Sequence, residues 1–129
     1  MSVKNLFIAT GIVTLFFGVM LMFFPDVLAR SVLIDPSMSA GQKALGTNYG
    51  VVLVAIGLGL LAARNSVSSA ARRGYVIQIT VSGLVLAGYD IHDIVSGVCK
   101  SAEWGVVAIV GILGLWGLAK LFTERSAAV

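Results

Sequence analysis

Tyr89, Asp90, His92 and Asp93 stand almost side by side, and Glu103 follows a short way along the chain. They form the only dense set of ionisable groups in 129 residues that are 58% hydrophobic and 12% charged. A histidine beside carboxylates in apolar surroundings is equipped to move protons on a lipid-soluble substrate, with Tyr89, His92, Asp93 and Glu103 as candidate catalytic groups. A metal site assembled from His92, Asp93, Glu103 and Cys99 would offer one nitrogen, one sulfur and loosely spaced oxygens. Transition-metal sites usually show more nitrogen or sulfur ligands, so no metal is expected, and no cofactor. The third chemistry is recognition of a ligand or partner at the mouth of the helices. The structural alternative is a set of solvated charges at a helix end, where water is within reach. A charge at the centre of a span would cost about 2.5–3.5 kcal/mol on insertion scales.

The element that must position these groups is the stretch from Gly74 to Gly97. Read as a helix at about 100° per residue, it places Gln78, Ser82, Tyr89, Asp93 and Ser96 within about 60° of one another. His92 falls on the edge of that stripe and Asp90 about 120° from Gln78, well off it. Gln78, Ser82, Tyr89, His92 and Asp93 are therefore the expected ligand-binding side chains. Depth decides their role. If the helix ends near Tyr89 the cluster is solvated; if it runs to Gly97, Tyr89 and Asp93 are expected to project among the other helices.

The remaining apolar residues come in long blocks that one soluble domain could not hide, since soluble proteins are about 25% charged. Four spans are expected, near residues 5–24, 44–63, 74–97 and 103–122, together forming one all-α domain over residues 1–129. The run from Leu6 to Phe24 contains no charge and is long enough to cross a hydrocarbon core of about 30 Å. Lys4, that run and Val27-Leu28-Ala29 also imitate a secretory signal, but the run is longer than a usual signal core, and a span is the expectation. Gly11, Thr14 and Gly18 share a face of the first span, and Gly46, Gly50 and Gly57 share one of the second. Small residues at such spacing let helices approach closely in lipid. Gly105, Gly111, Gly114 and Gly117 allow the same in the fourth span, where Trp104 and Lys120 are the expected interfacial anchors. Asn48 and Tyr49, near the start of the second span, line a cavity or hydrogen-bond at the interface.

The first loop, Asp26 to Lys43, holds Val27, Leu28, Val32, Leu33 and Ile34 around Arg30. It reads as a short helix lying in the interface or as an ordinary packed loop. Arg64, Arg72 and Arg73 lie in the second loop, and Val98 to Ala102 form the third. The tail from Thr123 is short and expected to fray. Lys4, Arg64, Arg72, Arg73, Lys120 and Arg125 fall on one side, and Arg30, Lys43 and Lys100 on the other, six against three. This asymmetry predicts both termini on the cytoplasmic side. The net charge of +3 is scattered among spans, so a membrane surface suits it and nucleic acid does not. Cys99 is the lone cysteine, so only a bond between chains is open to it. No P-loop, dinucleotide fingerprint, CxxC or HExxH occurs.

Four short spans, Phe24-Pro25 closing the first, Gly46, Gly50 and Gly57-Leu58-Gly59 in the second, and Arg64 and Arg72 after it form a recognisable arrangement. It resembles small four-helix bacterial inner-membrane proteins of DoxX-like type. The resemblance implies a left-handed bundle of four antiparallel transmembrane helices and transfers no catalytic residue. The expectation is a multi-pass protein of a bacterial inner membrane and a non-catalytic module. It would assemble with itself or a larger complex, bind a small hydrophobic molecule, or both. The alternative is a small membrane isomerase or oxidoreductase acting on a lipid or quinone through His92 and its carboxylates.

Overall fold

In a computed structural model the backbone is described for residues 2–65 and 68–126, and side chains up to residue 123. The chain forms α1 (Val3–Phe23), α2 (Pro25–Val32), α3 (Ala40–Ala63), α4 (Ser69–Val95), a 3-10 turn (Ser101–Glu103) and α5 (Trp104–Ser126). Among the described residues there is no strand, only an isolated antiparallel bridge between Leu33 and Cys99. The side chains of Glu124 and Arg125, and the tail beyond Ser126, lie outside the described residues, as do positions 66 and 67 of the second loop.

Helix boundaries follow capping chemistry rather than hydropathy. Ser39 and Gln42 form a reciprocal capping box that starts α3 at Ala40, and Ser68 caps α4 through Ala71. Arg72 and Arg73 therefore sit in the first turns of α4 instead of in a loop. At the other end of α4, Gly97 adopts φ 77°, a left-handed conformation that glycine reaches without strain. Val98 then donates to the Asp93 carbonyl at 2.9 Å and Gly97 to the Ile94 carbonyl at 3.1 Å, a Schellman closure. In the first loop the short helix forms, with Pro25 at its first turn, where the missing N–H costs nothing.

α1, α3, α4 and α5 are each long and apolar enough to cross a membrane, and only 17–28% of their apolar windows is buried inside the structure. Ile12, Phe16 and Phe23 of α1 and Ile112 and Leu115 of α5 are each more than half exposed. Such surface would cost a water-soluble monomer too much, and lipid is the solvent that suits it.

The helices pack as two pairs. α1 lies on α3 in opposite chain directions, with Gly11 against Gly57 and Gly18 against Gly50; α4 lies on α5, with Gly83 against Gly114 and Thr80 against Gly117. The two pairs share a core only toward the end that carries the start of α1. There Leu6, Phe7, Leu60, Ala63, Val76, Ile79 and Leu113 are buried together, and Phe7 meets Tyr75 edge-on at 5.7 Å. Toward the opposite end the pairs are bridged by α2 and the 3-10 turn.

Two expectations change here. Gly11 and Gly18 of the first span pack against Gly57 and Gly50 of the second within the chain, so these four are used inside the fold. Gly46 is not part of the tight contact: a Cβ there would only touch Leu21 at 3.9 Å.

Candidate ligand-binding cavity

Where the two pairs part, they leave a partly open cavity of about 220 Å³. Its walls come from every part of the fold: Val13, Thr14, Phe17 and Leu21 of α1, Leu28 and Val32 of α2, and Tyr49 and Leu53 of α3. Leu86 and Asp90 of α4, Glu103 of the 3-10 turn, and Val106 and Val110 of α5 complete it. The short helix is the cover. Its Leu28 and Val32 face the cavity, Ala29 is buried, and Arg30 and Ser31 stay exposed, the division expected of an amphipathic segment.

This cover is tied to the far pair by backbone bonds. Ile34 donates to the Val98 carbonyl at 3.0 Å and Lys100 to the Val32 carbonyl at 2.6 Å. The Lys100 ammonium donates to the Arg30 carbonyl at 2.6 Å, and Lys43 pairs with Asp26 at 2.8 Å. The basic side chains at this end are thus turned to the rim of the fold. None lines the cavity.

Inside, the polar groups are few. Thr14 already donates its hydroxyl to the Thr10 carbonyl at 2.7 Å, one turn back along its own helix. Glu103 is only 8% exposed, and its Oε2 is a buried atom with no hydrogen-bond partner among the described residues. Asp90, half-buried, lines the same wall and likewise has no basic partner among the described residues. Native buried polar atoms are almost always paired, so this orphan oxygen is an exception, and the side chain that carries it lines an apolar cavity.

The sequence-derived candidates divide. Glu103 lies in the cavity. α4 runs unbroken to Val95, yet Tyr89 is 67% exposed and points away from the other helices, against the expectation for a helix of that length. Gln78 and Ser82 are exposed on the same outer face, and the Ser82 hydroxyl donates back to the Gln78 carbonyl at 2.8 Å. His92 and Asp93 contact each other at 3.2 Å with side chains 73% and 43% exposed, and neither lines the cavity.

Asp90 and Tyr49 are the cavity residues that the polar stripe did not single out. A signal for Asp90 was present. Val76, Ile79, Thr80, Gly83 and Ala87, the buried residues of α4, fall within about 100° of one another, and Asp90 shares that sector. Small residues are enriched where helices meet in lipid, although polar side chains bind across helices there too, so this stripe was a signal and not a decision. Cys99, just outside the spans, is buried at the rim of the same site, and burial pushes its thiol up, aided by the carboxylates of Glu103, Asp93 and Asp90. Among the described residues no three His, Cys, Asp or Glu side chains come together as a metal-holding group. Comparison with protein-family models, with curated proteins and with solved structures found no match to this chain.

Proposed function

We propose that this protein is a non-catalytic binding module in a bacterial inner membrane, its four long helices forming an antiparallel transmembrane bundle that holds a small, largely hydrophobic molecule. The observation that carries the reading is the cavity between the two helix pairs, apolar on most sides and supplied with Glu103 and Asp90. Pockets for small molecules have this composition, an apolar wall with a few convergent polar groups that fix orientation. Its position also fits delivery from the bilayer or from the adjacent aqueous face.

The orientation has support in how the charges are gathered. Lys4, Arg64, Arg72 and Lys120 surround one depression at the end that carries the start of α1. Asp26, Asp35, Asp90, Asp93 and Glu103 belong to the other end. Positive charge on the cytoplasmic side then places both termini inside and the cavity toward the outer leaflet. Assembly into a homo-oligomer or larger complex keeps one support, the exposed polar stripe of Gln78 and Ser82 on α4. Polar side chains of that kind hydrogen-bond across helices in membranes. The acid–base alternative needed His92 near the substrate, and its ring lies outside the cavity, so binding is preferred to catalysis.

The test is native mass spectrometry of the protein released from its own membranes, compared with Leu53→Trp, in which the indole would fill the cavity. The expected result is a small molecule retained by the unmodified protein and lost from a folded Leu53→Trp protein. Equal retention by both, or none by either, refutes the binding reading.

A further inference from the structure

The geometry points to a lipophilic monocation as the class of ligand: an apolar body carrying one amine or quaternary ammonium head, seated with that head between Glu103 and Asp90. The inference rests on the binding reading above and goes further, because it assigns the sign of the ligand's charge. Two carboxylates line the cavity, and among the described residues no lysine, arginine or histidine does. Of the basic side chains at this end, Lys43 of α3 pairs with Asp26, Lys100 donates to the Arg30 carbonyl, and Arg30 of α2 is exposed.

A buried carboxylate without a partner is unstable as an anion, so it must take up a proton or a positive charge from outside the chain. Glu103, 92% buried with an unpartnered oxygen, is in that position and lines the cavity. The walls decide which cation. Calcium takes about six to eight oxygen ligands and magnesium keeps several of its waters, whereas these walls are valine, leucine and phenylalanine with only Thr14 and Tyr49 as further polar groups to receive them. A quaternary or heavily substituted ammonium is far more weakly hydrated than these metal ions and gives up its water at lower cost. Its body can rest on Val13, Leu53 and Val110. Phe17 and Tyr49 line the same walls, and aromatic rings attract ammonium groups.

The experiment compares two probes of the same shape, phenyltrimethylammonium and its uncharged isostere tert-butylbenzene, by saturation-transfer NMR on the full chain in nonionic detergent. The cation is expected to bind and to displace the isostere. Its affinity should fall at least about tenfold in Glu103→Gln and in Asp90→Asn, changes that keep shape and remove charge. Binding of tert-butylbenzene without phenyltrimethylammonium overturns the cation assignment and leaves the cavity reading standing. Binding of neither overturns both. Equal binding of both probes, untouched by Glu103→Gln, also overturns the assignment. The comparison of the two probes on the unmodified protein needs no variant to fold.

Discussion

Replacing glycine by alanine at four positions should separate the seams of this fold from its lipid face by the sign of the effect. At Gly50 an added Cβ would sit 2.7 Å from the Gly18 carbonyl oxygen and 2.9 Å from the Met22 amide nitrogen. At Gly83 it would sit 2.7 Å from the Val110 carbonyl oxygen and 2.9 Å from the Gly114 Cα. Both distances to oxygen are about 0.7 Å inside the 3.4 Å at which ordinary van der Waals contact begins. The obstructing atoms are backbone, so no rotamer change relieves them, and the helix pair must separate. A gap of that size forfeits roughly a quarter to a half of each contact's dispersion energy along the seam. Overpacking of this kind costs about 1–3 kcal/mol. At Gly59 and Gly88 nothing lies within 4 Å of the same methyl group. There only the helix-forming advantage of alanine remains, about 0.5–1 kcal/mol in favour of the folded state.

Reversible unfolding in mixed micelles, followed by circular dichroism, should therefore show Gly50→Ala and Gly83→Ala destabilised and Gly59→Ala and Gly88→Ala unchanged or stabilised. The double change Gly18→Ala with Gly50→Ala should cost less than the sum of the two, because helices already forced apart accept the second methyl more easily. Equal stability of Gly50→Ala and Gly88→Ala would refute the assignment of the α1–α3 seam. Loss of stability at Gly88 alone would mean that the outer face of α4 is covered by another copy of the chain.

Cys99 should be alkylated by iodoacetamide at pH 8 at least about tenfold more slowly in the folded than in the unfolded protein, since its thiol is buried and pushed above its ordinary range. The same protein should show no disulfide dimer on a non-reducing gel, and rapid labelling would contradict the buried position. Asp93→Asn removes one partner of an exposed ion pair with His92 and should shift unfolding by no more than about 1 kcal/mol. A larger loss in that unfolding measurement would place Asp93 at a buried contact that the monomer does not contain.

Much of this fold could be read directly from residue types. Runs such as Leu6 to Phe24 are long and apolar enough to cross a membrane whatever they pack against, because hydrophobic transfer depends on area and not on partners. The caps at Ser39 and Ser68 are local chemistry too, legible in principle although hydropathy placed the helix starts a few residues late. Glycine spacing identified close-packing faces correctly at Gly11, Gly18, Gly50 and Gly57, but spacing alone could not say that these four face each other. The inward face of α4 was a matter for tertiary structure. Its polar stripe and its small-residue stripe lie on opposite sides, and the choice between them depends on which one meets α5, a contact between residues far apart in sequence. That choice turned Gln78, Ser82 and Tyr89 outward and brought Asp90 into a cavity with Glu103. The cavity itself exists because the two helix pairs share a core at one end and are held apart at the other by α2. No stretch of sequence contains that separation; it is a property of how four helices meet.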